Sequence, residues 1–149
     1  MARLARVVLP GCPHHITQRG NRRQDVFFKE SDYVHCLYLL KQWCLHEGID
    51  IWAYCLLTNH VRLIVMPGRK SNLGKAICEM HRLYTWMINF REHWKGYLWQ
   101  GRFASYPLDE SWLVKAAAYV ELNPVKAGML KTLVTFTEAV LTPKKLLTE

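Results

Sequence analysis

Ile49-Asp50-Ile51-Trp52-Ala53-Tyr54-Cys55-Leu56-Leu57-Thr58-Asn59-His60-Val61-Arg62-Leu63-Ile64-Val65-Met66-Pro67 is the stretch that decides the fold. Ile49 to Leu57 is β-branched and aromatic, the composition of a strand. Thr58-Asn59 is a short turn, and His60 to Met66 returns to a strand pattern that Pro67-Gly68 closes. In a strand, residues two apart share a face. His60 and Arg62 therefore project together, and Val61, Leu63 and Val65 project to the other side.

Working outward from this hairpin, Ser31 can cap a helix that runs to about Glu47, with Val34, Leu37, Leu40 and Cys44 as its inner stripe and Gly48 as its stop. Before it, His14 to Arg19 alternates and runs into the basic turn Arg19-Gly20-Asn21-Arg22-Arg23, a first strand and its exit. After the hairpin, a second long helix begins near Ser71 or Asn72, with Leu73, Ala76, Ile77, Met80, Tyr84 and Met87 at helical spacing. Tyr97 to Pro107 is aromatic and basic and reads as a loop followed by a strand around Phe103 to Tyr106. Asp109 caps a third helix from Glu110 to about Leu122. Asn123-Pro124 interrupts it and starts a short turn that Gly128 ends. The tail has helical character around Phe136 to Leu141.

The order β-α-β-β-α-β-α predicts an α+β fold: a ferredoxin-like antiparallel sheet with helices packed mainly on one face. The 149 residues suit a single domain, 1–149, with a core of about 13–130 and a C-terminal tail of 131–149. The chain is 50% hydrophobic, which argues against disorder. Its apolar runs are short and interrupted by charge, so no membrane span is expected. The basic start Met1-Ala2-Arg3-Leu4-Ala5-Arg6 is not followed by a signal core, so a cytoplasmic location is expected. Five cysteines without a Cys-x-x-Cys pair argue against a disulfide framework and against a structural zinc site.

Lys and Arg number 20 against 12 Asp and Glu, a net charge of +8. That balance suits a polyanion, nucleic acid being the commonest. Arg19, Arg22 and Arg23 follow the first strand and can grip phosphates. Trp99 and Arg102 mix an aromatic with a cation, as base stacking and phosphate pairing require, with burial of Trp99 and Phe103 as the alternative. On the third helix, Leu113, Ala116, Ala117 and Val120 define an apolar face. At about 100° per residue Tyr119 stands roughly 110° from its centre, with Lys115 one turn away to pair with a phosphate. By residue chemistry alone, Tyr119 at the edge of a core stripe and His60 in a strand both read first as structural.

Read in order, Pro13-His14-His15-Ile16-Thr17-Gln18-Arg19-Gly20-Asn21-Arg22-Arg23, Asn59-His60-Val61, Gly96-Tyr97-Leu98-Trp99-Gln100-Gly101-Arg102-Phe103 and Tyr119-Val120-Glu121-Leu122-Asn123-Pro124-Val125-Lys126-Ala127-Gly128 resemble the REP-associated tyrosine transposases, a branch of the single-tyrosine HUH transposases. The resemblance implies an enzyme that recognises and cuts single-stranded DNA beside imperfect hairpins, acting as a monomer or homodimer. It implies that Tyr119 attacks the scissile phosphate, leaving a 5′-phosphotyrosine link and a free 3′-hydroxyl. It also implies that His60 and Asn123 ligate a divalent ion, Mg²⁺ or Mn²⁺. Helix capping is the alternative role of Asn123.

Arg62 departs from this pattern. It stands where the family has a second histidine, and a guanidinium is always charged and cannot ligate. It is an engineered loss of function, a degenerate copy, or a variant in which the guanidinium itself meets the phosphate. His15 is a conceivable substitute ligand. Two rival functions follow: a catalytically inactive hairpin-DNA-binding protein of the same fold, and an RRM-like RNA-binding module. The second lacks its RNP pattern here and gives the Tyr119 motif no role.

Overall fold

The computed structural model describes residues 7–109, 111–113 and 115. Strand β1 is His14–Arg19, helix α1 Glu30–His46, strand β2 Ile49–Leu57, strand β3 His60–Pro67, helix α2 Leu73–Glu92 and strand β4 Ala104–Pro107. The strands form one four-stranded sheet in the order β2-β3-β1-β4. All three pairings are antiparallel. This is the ferredoxin-like layout expected from the element order.

One sheet face carries the main core. Ile16, Val61, Leu63 and Val65 from the strands meet Leu37, Leu40 and Cys44 of α1 and Ala76, Ile77, Met80 and Tyr84 of α2. The opposite face has a smaller cluster of Trp52, Ala53, Cys55, Leu57 and Ile64, against which Leu113 packs. The two long helices thus share one face, and the start of the third touches the other. A bulge between Ile51 and Ala53 makes this possible in β2. The extra residue puts Trp52 and Ala53 together in the second cluster before alternation resumes.

Helix boundaries follow local chemistry. Gly48 ends α1 at φ +69, a left-handed conformation that glycine adopts without a Cβ penalty. Asn72 caps α2, its side chain accepting from the Lys75 N–H at 2.9 Å. Asp109 accepts from the Trp112 N–H at 2.9 Å. Residues 111–113 and 115 are helical, as the cap predicts. The rest of the third helix, the Asn123-Pro124 turn and the tail lie outside the described residues.

Two expectations for α1 are corrected. Ser31 is not its cap: the helix starts at Glu30, preceded by Lys29. Asp32 does the satisfying instead, accepting from the N–H groups of Phe28 at 2.9 Å and Lys29 at 3.2 Å. Val34 is exposed rather than in the inner stripe, because the buried positions are Asp32, Cys36, Leu37, Leu39, Leu40 and Cys44.

Asp32 is 1% exposed and joins α1 to α2 through two contacts with Arg91, at 2.5 and 3.1 Å. Burial pushes its carboxyl up, but the Arg91 hydrogen bonds and the two backbone donors outweigh it and hold the pKa below the usual carboxylate range. Asp32→Ala strands the guanidinium and two N–H groups and is expected to cost about 3 kcal/mol. Because the folded pKa is depressed, this contribution is present above about pH 4 and is lost as pH falls through the folded value. Urea unfolding of both forms at pH 7 and at successively more acidic pH checks the size and its decline.

Candidate functional site

The register between β1 and β3 builds the site. Arg19 lies opposite His60, Thr17 opposite Arg62 and His15 opposite Ile64. All six belong to the sheet face away from α1 and α2, as period-two alternation requires. His60 and Arg62 therefore do project together.

Two loops are pinned to this end of the sheet. Gly20 N–H donates to Asn59 O at 2.8 Å, and the Asn59 side chain donates to Arg23 O at 3.4 Å. A Cβ on Gly20 would stand 2.1 Å from Gln24 O, so this close turn requires glycine. Within it Arg22 and Arg23 hold φ of 56 and 59. That left-handed region is uncommon for non-glycine residues and concentrates at binding loops. Both side chains are exposed. The second loop is tied by Gln100 N–H donating to Arg19 O at 2.9 Å and by a bridge between Gly20 and Trp99.

Between these loops and the strands lies a cavity of about 310 Å³, lined by Thr17, Gln18, Arg19, His60, Arg62, Gln100, Arg102 and Ala104. Three of these eight side chains are arginines and none is acidic. His60 Nδ1 is 2.7 Å from Asn59 Oδ1. Burial, then Arg62 and Arg19, lower its pKa to about 4. The imidazole is neutral at pH 7 and keeps one nitrogen lone pair.

The described residues around His60 do not by themselves make a divalent-cation site. Among the described residues no group of three or more His, Cys, Asp or Glu is placed to hold a metal. Arg62 puts a fixed positive charge two residues from His60 on the same face. His15 does not substitute. It pairs with Ile64 while His60 pairs with Arg19, so the Thr17–Arg62 row separates the two imidazoles. At about 3.4 Å per residue they start some 14 Å apart along the strands. His15 Nε2 is buried without a hydrogen-bond partner among the described residues, and burial, then Arg62, lowers its pKa. His14 is fully buried, its Nε2 accepting from the Leu9 N–H at 3.2 Å and its Nδ1 2.7 Å from Cys12 O. It packs on the core side, not in the cavity.

Of the other predicted site residues, Arg19, Arg22, Arg23 and Arg102 gather with His60 and Arg62 at one end of the sheet. Trp99 is 6% exposed and packed against Phe27, His81 and Tyr84, which is the burial alternative of the sequence reading. Phe103 is buried too. Lys115 is exposed, with its Nζ 5.1 Å from the Trp112 ring centre, a cation–π contact that leaves the ammonium accessible. Tyr119 and Asn123 lie outside the described residues. Sequence reasoning missed Gln18, Gln100 and Thr17 as cavity walls. The β1–β3 register brings Thr17 and Gln18 to His60, and the Gln100 N–H bond to Arg19 O brings Gln100.

The family model for IS200-like transposases matches residues 9–123. The chain belongs to the IS200-like transposase family. The matched range contains His60, Arg62, Tyr119 and Asn123 and covers every residue lining the cavity. Among solved structures, one described as the REP-associated tyrosine transposase bound to a REP hairpin superposes with a TM-score of 0.72 at 20% identity, covering 91% of this chain and 79% of that one. A putative transposase from Deinococcus radiodurans R1 superposes with a TM-score of 0.54 at 15% identity, covering 80% of this chain and 96% of that one. At such identities the likeness is one of fold. A search of curated proteins finds no match. No helix among the described residues of this transposase-family chain is long and apolar enough to cross a membrane.

Proposed function

We propose that the protein binds single-stranded DNA beside a hairpin and seats a backbone phosphate in the arginine-lined cavity, as a tyrosine transposase whose cleavage is attenuated by Arg62. The observation that carries this reading is the cavity itself: three guanidinium groups around a neutral histidine, with no carboxylate among its lining residues. Such a cavity attracts a phosphodiester and repels a metal ion. Arg22 and Arg23 in the adjoining turn extend the cationic surface for the hairpin or its flank.

In this reading Tyr119 is the nucleophile. Its hydroxyl oxygen bonds to phosphorus, the bond from phosphorus to the 3′-oxygen breaks, and the tyrosine proton ends, net, on the released 3′-hydroxyl. Lys115, four residues before Tyr119 in the sequence, adds a cation for the phosphate. The family resemblance implies Mg²⁺ or Mn²⁺ on His60 and Asn123. Arg62 opposes that ion, so Arg62, Arg19 and Arg102 are the groups left to offset phosphate charge. A second reading, an inactive hairpin-binding protein, is favoured by the same mismatch between Arg62 and a metal. Both readings share the DNA surface and differ only in turnover.

Binding is expected to prefer hairpins with unpaired flanks over plain duplex and to weaken steeply as salt rises, because each neutralised phosphate releases counterions. Fluorescence anisotropy with labelled hairpins at several salt concentrations tests it. Equal affinity for duplex and hairpin, or affinity independent of salt, overturns the proposal.

A further inference from the structure

A larger cleft of about 670 Å³ lies between α2 and the segment 96–103 and has no role in the reading above. Its volume is in the range that encloses a nucleotide-sized ligand. Gln18 and Arg102 line both this cleft and the arginine-lined cavity, so the two spaces meet. They meet just before β4 begins, its first residue Ala104 pairing with Thr17, while β1 runs on to Arg19. Gln18 is a fixed wall there: its amide donates to Gly101 O at 3.0 Å and its carbonyl accepts from the Arg19 N–H at 3.0 Å. Arg102 supplies a cation at the passage.

Beyond the passage the cleft is rimmed by Tyr97, which is 87% exposed, facing Arg82 and Thr85 of α2. Asn89 donates to Gly96 O at 3.0 Å, which fixes the Tyr97 segment to α2. Outside the residues that line the cleft, Trp86 and Phe90 lie about one and two helical turns past Arg82 on α2; they are 64% and 73% exposed and stacked on each other, with ring centres 5.5 Å apart and planes 14° apart. Arg82 is itself paired with Glu79 at 2.6 Å, so the cation the cleft shares with the cavity is Arg102; exposed aromatics of this size suit unpaired bases, which stack on the rings. A second copy of the chain is the less apt occupant. Two chains of net charge +8 repel each other, and a protein contact gives no reason for the cleft to open into a phosphate cavity through Arg102.

We propose that this cleft is a second subsite for single-stranded DNA: the strand leaving the arginine-lined cavity passes Arg102 and stacks successive bases on Tyr97 and on the Trp86–Phe90 pair. This rests on the reading of the protein as a hairpin-DNA binder.

The test uses the full chain and one hairpin stem carrying unpaired 5′ or 3′ flanks of increasing length, with 2-aminopurine placed in turn at each flank position. Affinity is expected to rise with length on one flank only and to level off, with 2-aminopurine quenched at the stacked positions. Tyr97→Ala and the double variant Trp86→Ala/Phe90→Ala should each remove about tenfold of the flank-dependent gain. Both should leave binding of the flankless hairpin unchanged, and Tyr97→Phe should keep the gain. All three side chains are on the surface, so the variants should fold. Hairpin binding with no flank gain, or a gain these variants do not reduce, overturns the subsite and spares the hairpin reading. The same holds if the double variant only converts a dimer to monomer in sedimentation with its flank gain intact. No affinity for any of these DNAs overturns both.

Discussion

Arg62→His is expected to raise Mn²⁺-dependent cleavage of a hairpin substrate by roughly a hundredfold. A divalent ion beside His60 needs neutral or anionic donors, and Arg62 replaces an imidazole lone pair with a cation. The β1–β3 register places Arg62 on the same sheet face as His60, and both line one cavity with Arg19 and Arg102. A like-charge contact of a few ångströms at an intermediate dielectric opposes the ion by about 3 kcal/mol, which is roughly a hundredfold in affinity. His60 itself is ready to ligate, since its lowered pKa, about 4, leaves it neutral at pH 7. Hairpin affinity should stay equal or fall slightly, because the substitution removes one guanidinium from the phosphate cavity. Gel-resolved cleavage by both forms across a Mn²⁺ series reads the effect. Equal rates would mean that a two-histidine metal site is not how this chain cuts DNA.

Tyr119→Phe, made in the Arg62→His background, should abolish the covalent protein–DNA adduct while leaving hairpin affinity within about twofold. Losing one hydroxyl removes the atom proposed to bond to phosphorus, whereas the arginines proposed to hold the strand are untouched. The result is read as loss of the slow-migrating band on a denaturing gel beside an unchanged anisotropy titration. An adduct that persists in the phenylalanine form assigns the attack to another residue.

The parts of this fold set by local pattern were legible in the chain. The Ile49–Leu57 and His60–Pro67 hairpin, the Asn72 and Asp109 caps and the Gly48 stop follow from side-chain alternation and backbone chemistry that need no distant partner. So did the shared face of His60 and Arg62. What escaped was set by tertiary contact. Asp32 reads as a surface residue until Arg91, 59 residues away, supplies its charge partner. Val34 fits a helical stripe but faces solvent, because α2 packs on α1 from the side of Cys36 and Leu40. The Trp52 bulge leaves no mark in a strand that is apolar on both faces. Trp99 and Tyr97 are both aromatic residues in one basic loop, and only the packing of Trp99 on Phe27 and Tyr84 shows which of them is spent on the core. The cavity's arginines come from three separate segments, so its charge is visible only after the strands are in register.

The central claim is that Arg62 turns a metal-binding position into a phosphate-binding one. Mn²⁺ binding followed by electron paramagnetic resonance, on the Arg62 protein and on Arg62→His without DNA, tests it most directly. Arg62→His is expected to bind Mn²⁺ at concentrations where the Arg62 protein leaves the ion in solution, with affinities differing by about a hundredfold. Mn²⁺ bound equally well by both proteins would contradict it.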